Sequence, residues 1–275
     1  PSACPEGEGG EGSPVLLLHG VPLASPTWIE VAPRLAARGH RVVAADLVGM
    51  GGSQKPLSLN YTLGGLAEFA VGLLDSVAQE SEGPGWVVAG HDLGGLLALV
   101  TAARRTAQVA AAIALDTTAS LDYPFPWIRL FAGRPSYLAG VFRLGQPGGL
   151  RWVVRSLWRQ GGEPPEELLK AQAEAFGSPQ AIWALARLVE GVAGTPVEAV
   201  ESIRAELGSL RLPVLLGRGE EDLSLSRLAT HDLGALIPSA RLATIPGAGH
   251  LTPLEQPEKV ADLMAAFIEE VVGNA

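Results

Sequence analysis

The chain has 275 residues, of which 47% are apolar, with a net charge of −9 and a mean hydropathy of +0.24. Such a length and apolar content suit one core carrying an insertion. The negative balance argues against a general nucleic-acid partner, and no apolar run approaches the ~18 residues of a membrane span. Cys4 stands alone, so an intramolecular disulfide is excluded and the expected compartment is the cytoplasm. Residues 1–13 are rich in Gly, Glu and Pro, lack a basic-then-apolar signal pattern and read as a flexible leader. Six apolar runs read as buried parallel strands, at 15–18, 41–45, 86–89, 111–115, 214–216 and 242–245. Helix-like segments at 28–37, 63–81 and 95–103 separate the first four. The alternation predicts an α/β fold with a mostly parallel sheet of about six or more strands flanked by helices. It stops after Asp116. Residues 118–210 read as helical with Pro and Gly breaks and carry Trp127, Trp152, Trp158 and Trp183. The expected organisation is therefore an α/β core at 14–117 and 211–275 and an inserted helical cap at 118–210. The Trp-bearing cap is expected to roof an apolar pocket at the carboxyl edge of the sheet.

The stretch Val87-Val88-Ala89-Gly90-His91-Asp92-Leu93-Gly94-Gly95 runs from a strand through a cramped glycine-flanked turn into a helix. That context presents one side chain at the sheet's carboxyl edge, as a nucleophile elbow requires. A serine there attacks carbonyls. Asp92 brings a carboxylate, which can attack a saturated carbon in an in-line displacement and leave an alkyl ester of the protein. The bland alternative is an Asp that only caps a helix. His250, in the Gly- and Pro-shaped loop after the last predicted strand, is the candidate to activate water against that ester. The orienting acid is Asp222, in Gly219-Glu220-Glu221-Asp222, with Asp116 as the alternative. The loop His19-Gly20-Val21-Pro22 can direct the Val21 N–H at the site, and the Leu93 N–H at the helix start can complete an oxyanion hole. The glycine-rich loop 46–53 lacks the Lys-Ser/Thr of a phosphate loop and reads as a structural turn. His40 precedes a strand, His231 lies in a helical pattern, and His91 packs beside the turn.

No metal-ligand cluster is visible, so neither a metal nor an organic cofactor is expected. The expected partner is an apolar small-molecule substrate, without nucleic acid or membrane, and the chain is expected to act as a monomer or homodimer.

Taken in order, the HGxP loop at 19–22, DLVGMGGS, GHDLGG, GEED and GAGHLTPLEQPE resemble the α/β-hydrolase superfamily from Val15 through nearly the whole chain. With Asp92 as nucleophile the chain resembles the branch of epoxide hydrolases, haloalkane dehalogenases and fluoroacetate dehalogenases. The resemblance implies Asp92 as nucleophile, His250 as water-activating base, and Asp222 or Asp116 as acid, since fluoroacetate-type members carry the acid where Asp116 sits. The chain also departs from those families. Leu93 stands where haloalkane dehalogenases usually carry Trp and fluoroacetate dehalogenases Arg, and Val21 replaces the Asn common in dehalogenases and the aromatic of epoxide hydrolases. Epoxide hydrolases use cap tyrosines to donate to the opening oxygen. Only Tyr123 and Tyr137 lie in this cap, and Val189 falls near the second tyrosine position, leaving Tyr137 and Trp183 as donor candidates. The family usually has two further strands before the HGxP loop, for which 18 mostly polar residues leave little room. The expected reaction is epoxide opening to a vicinal diol. Its rivals are dehalogenation, another reaction with Asp92 as base, and a non-catalytic ligand-binding receptor.

Overall fold

The computed structural model describes residues 12–56, 58–78, 85–120, 139, 148–224 and 227–273. Its strands are β1 (Gly12–Leu18), β2 (His40–Ala45), β3 (Trp86–His91), β4 (Val109–Leu115), β5 (Val214–Gly219) and β6 (Ala240–Ile245). They form one six-stranded sheet in the order β2-β1-β3-β4-β5-β6, with every neighbouring pair parallel. The helices are α1 (Val31–Ala36), α2 (Leu63–Ala78), α3 (Leu93–Arg104), α4 (Gly148–Leu157), α5 (Glu166–Glu174), α6 (Pro179–Ala193), α7 (Val197–Gly208), α8 (Arg227–Leu236), α9 (Thr252–Glu255) and α10 (Pro257–Val272). Among the described residues no helix is long and apolar enough to cross a membrane.

The strands are apolar in nearly every position because both faces are covered. Leu16 and Leu18 of β1, Val88 of β3, Ala112 and Ala114 of β4, and Val214 and Leu216 of β5 point into one core. Their neighbours Val15, Leu17, Val87, Ala89, Ala111, Ile113 and Leu215 point into the other. The first core is closed by α2, α3, α6 and α7, and the second by α1 and α10. Every residue of α3 from Leu93 to Ala102 is buried, so the helix that follows β3 is held along its length.

The direction of the strand order reverses at one point. From β1 the chain steps outward to β2, then crosses back to β3 on the other side of β1. The loops leaving β1 and β3 therefore diverge from adjacent strand ends, and such a switch point is where parallel sheets bind ligands. Leu18 pairs with Gly90, which brings the two strand ends level.

Local differences from the sequence reading have local causes. β1 begins at Gly12, so Gly12 and Ser13 of the predicted leader belong to the sheet, where the Gly12 N–H donates to Gly39 O at 3.1 Å. The segment read as one helix at 28–37 is a 3-10 turn, Ser25–Trp28, followed by α1. The aromatic roof also needs correction. Trp152 is 68% exposed. It lies roughly 200° around α4 from Val154, and it is Val154 that turns inward with Leu23, Leu169, Leu251 and Leu254. Trp158 packs against that aliphatic cluster and Trp183 is half-buried on α6. Trp127 lies outside the described residues. The cluster that joins α4 and α5 to the loops after β1 and β6 is thus mainly aliphatic, with Trp158 at its edge.

Candidate active site

Asp92 joins β3 to α3 at φ 51° and ψ −122°, a conformation that side-chain-bearing residues seldom adopt and that surrounding structure must enforce. Its N–H donates to Leu115 O at 2.9 Å, and its carbonyl accepts from Gly95 N at 3.0 Å and Thr117 Oγ1 at 2.6 Å. Two glycines let the loop after β1 lie against this bend. A Cβ on Gly94 would run into the carbonyls of Leu18 and His19, and one on Gly20 would stand 2.6 Å from Asp92 Cβ. The close approach lets the Val21 N–H donate to Asp92 Oδ2 at 2.9 Å. Leu93 opens α3 directly after Asp92, so no carbonyl of that helix accepts its N–H. Of the two predicted donors, Val21 thus meets the carboxylate, and Leu93 follows Asp92 directly in the chain.

His19 braces this loop. Its Nε2 accepts the Leu47 N–H at 3.0 Å, so the proton sits on Nδ1, which donates to Gly20 O at 2.8 Å. Burial lowers its pKa and keeps the ring neutral, despite Asp46 and Asp92 nearby. The glycine-rich loop at 46–53 is a structural turn. Asp46 accepts the Ser25 N–H with Oδ1 and the Gly52 N–H with Oδ2, each at 2.7 Å.

On the other side of Asp92, the loop after β6 carries His250, whose Nε2 lies 3.8 Å from Asp92 Oδ1. The two carboxylate oxygens of Asp92 therefore differ: Oδ2 rests on a backbone donor, and Oδ1 faces the imidazole without bonding to it. His250 Nδ1 is 3.0 Å from Asp222 Oδ2. Burial works against the charged ring, but the Asp222 hydrogen bond and the charges of Asp222, Asp92 and Asp116 outweigh it and raise its pKa to about 9.

Asp222, not Asp116, bonds the imidazole. Asp116 is fully buried at the end of β4 with φ 46°. Its Oδ1 accepts the Gly219 N–H at 2.8 Å, and its Oδ2 accepts from Thr252 Oγ1 at 2.6 Å. It joins the end of β5, which leads to Asp222, to the start of α9, which follows His250. Burial pushes its pKa up to about 8, aided by the Asp222 charge and opposed by His250 and the two hydrogen bonds.

Sequence reasoning gave three supporting residues no role. His91 was expected only to pack beside the turn, yet its Nε2–H donates to the His250 carbonyl at 2.6 Å. Burial, helped by the neighbouring His250 charge, holds its pKa near about 4, so the ring stays neutral. Thr117 and Thr252 tie down the backbone of Asp92 and the carboxyl of Asp116. The signal for all three is adjacency: each lies within two residues of a predicted site residue. Of the donor candidates, Tyr137 lies outside the described residues, as does Tyr123, and Trp183 is on α6. Among the described residues no group of three or more His, Cys, Asp or Glu side chains is arranged to hold a metal ion.

Comparison with known proteins agrees with this geometry at the level of fold. The 2-hydroxymuconate semialdehyde hydrolase of Pseudomonas putida is 27% identical over 263 residues, covering 95% of this chain and 89% of the relative. Epoxide hydrolase A of Mycobacterium tuberculosis is 36% identical over 130 residues, covering 46% of this chain and 39% of the relative. The crystal structure of Cfl2 from Burkholderia cenocepacia superposes with a TM-score of 0.79 at 26% identity, over 96% of this chain and 90% of that one. The model of the alpha/beta hydrolase family matches residues 15–263, from the first strand into the final helix. A parallel sheet with its polar constellation on the loops at one edge, matched over that span, makes this chain a hydrolase of the alpha/beta hydrolase family.

Proposed function

We propose that the protein is an epoxide hydrolase acting on an apolar small molecule through an ester of Asp92. The observation that carries this reading is the asymmetry of that carboxylate, with Oδ2 on the Val21 N–H and Oδ1 facing His250 Nε2. In the first step Oδ1 attacks a ring carbon, the C–O bond breaks, and its electron pair stays on the departing oxygen. A donor on the inserted segment, Tyr137 or Trp183, hydrogen-bonds that oxygen, which takes up the proton that His250 carries at its raised pKa and leaves the ring neutral. Oδ2 is then the carbonyl oxygen of the ester and already accepts the Val21 N–H. In the second step His250 takes a proton from water, the hydroxide adds to the Asp92 carboxyl carbon, and the charge on Oδ2 is held by the N–H groups of Val21 and Leu93. Collapse breaks the bond between the carboxyl carbon and Oδ1 and releases the diol: Oδ1 leaves with the proton held by His250, and the second water proton, left on the Asp92 carboxyl, returns to the ring.

The charges suit this order. Esterification removes the Asp92 charge, one of those that hold the His250 proton, so the ring gives that proton up more readily and is neutral when the ester needs a base. Residues 118–210 serve in this reading as a cap over the crevice between the loops of β1 and β3. The epoxide hydrolase A similarity supports the substrate class over part of the chain. Leu93, 2% exposed, supplies an aliphatic side chain where a halide would need a donor, which disfavours the dehalogenase rival.

The test is His250→Gln incubated with a panel of apolar epoxides and haloalkanes, followed by mass spectrometry. The expected result is an intact epoxide mass added to the peptide bearing Asp92. An alkyl adduct with loss of halide indicates dehalogenation. No adduct from any epoxide that the wild type converts to a diol contradicts the covalent route.

A further inference from the structure

Glu255 closes α9, 6% exposed, and neither proposed step uses it. Its two carboxylate oxygens accept two backbone donors from distant parts of the chain. Oε1 accepts the Arg159 N–H at 2.8 Å, across 96 residues of sequence, and Oε2 accepts the Gly249 N–H. Arg159 follows α4 in the segment inserted between β4 and β5, and Gly249 directly precedes His250. Amides close the same seam. Gln160 Nε2 donates to Gly247 O, and Gln256 Nε2 reaches both Gly247 O and Gln160 Oε1 at 3.1 Å. The aliphatic cluster of Leu23, Val154, Leu169, Leu251 and Leu254 lies alongside.

Hydrogen bonds to an ionised acceptor are roughly twice as strong as neutral ones, and here one charge serves both sides of the seam. Burial raises the Glu255 pKa, opposed by the Gly249 and Arg159 N–H bonds and the charges of Arg159 and His250. Asp92, by contrast, hydrogen-bonds to Leu115, Thr117 and Val21, none of which is a residue of this seam.

Resting on the reading of His250 as base, we propose that Glu255 is a positioning residue that ties the His250 loop to the segment after α4, so that the ring is placed for ester hydrolysis only when that segment is seated. Its loss slows the second step and spares the first. A Gln side chain keeps the shape but offers one acceptor oxygen and turns an N–H₂ toward the other donor.

The experiment compares wild type, Glu255→Gln and Gln160→Ala as full chains, with styrene oxide as probe and with nuclear magnetic resonance of the His250 ring. In Glu255→Gln, kcat is expected to fall about 10²-fold, the effect of a misplacement near 1 Å. kcat/KM, which reports alkylation, stays within about twofold, and the Asp92 adduct accumulates during turnover. The resonance of the ring proton shared with Asp222 shifts or broadens, and the ring's titration midpoint moves down from about 9 toward its ordinary value. Gln160→Ala moves the same readouts less far and serves in place of Glu255→Gln should that variant not fold. A parallel fall of kcat and kcat/KM, or a ring resonance and midpoint identical to wild type, overturns the proposal. If His250→Gln forms no adduct while the Glu255→Gln resonance still moves, the epoxide reading fails and the positioning role stands.

Discussion

The two sides of the site are built by different means. The Asp92 side is set by backbone: a strained bend at φ 51°, a helix buried from its first residue, and a loop that approaches because Gly94 and Gly20 lack side chains. The His250 side is set by side chains reaching across the fold. Asp222 holds the ring, His91 the carbonyl of the same residue, Asp116 the flanking elements, and Glu255 the preceding peptide. The half that presents the nucleophile in the proposed reaction is over-determined by sterics. The half that must exchange protons rests on titratable groups, whose strength depends on charge state.

The largest effect expected from this contrast is at the nucleophile. Asp92→Ala should lower epoxide turnover by about 10⁴-fold or more while the chain still folds, and steady-state rates would show it. Retention of a tenth of the activity would mean that the carboxylate is not the attacking group. Asp222→Asn should cost about 10³-fold, because the amide cannot stabilise the imidazolium, and the loss should fall on ester hydrolysis. An adduct that decays at the wild-type rate would remove Asp222 from the mechanism. Gly94→Ala probes the backbone side. Its methyl group meets two carbonyls, and denaturant titration should show stability lower by about 3 kcal/mol.

Asp116→Asn gives a smaller effect that depends on pH. The folded pKa is raised by burial to about 8, above the ordinary carboxylate value of 3.8. The stability linked to that group is present in full below about pH 4 and is lost as pH rises through 8. Asn has no proton to lose, so its Tm should rise progressively above that of wild type as pH climbs from 4 to 8, and the two curves should converge at pH 4. A constant difference across that range would show that Asp116 is ionised throughout. Smallest of all, Trp152→Ser should leave stability within about 0.5 kcal/mol and KM unchanged, since its ring faces outward from α4. A raised KM would return that indole to the substrate's surroundings.

What could be read from sequence follows the same division. The strands and the Asp92 bend were legible because their signals are local: apolar runs of strand length, and a glycine on either side of one residue. His250 and Asp222 were legible as polar residues in loops that end strands. The choice between Asp222 and Asp116 was not, because both end adjacent strands, and only the fold shows one carboxyl on the imidazole and the other on Gly219 and Thr252. Glu255 stood in a quoted motif without a role, since its partner Arg159 is fixed only when α4 docks. The aromatic roof failed at Trp152 because composition does not say which face of a helix turns inward.

The most direct test of the covalent account is a single turnover of an epoxide substrate in ¹⁸O-labelled water, followed by mass spectrometry of the peptide containing Asp92. The expected result is label in the Asp92 carboxylate and an unlabelled diol. Label in the diol alone, with Asp92 unchanged, would mean that water attacks the epoxide directly and that Asp92 never forms the ester.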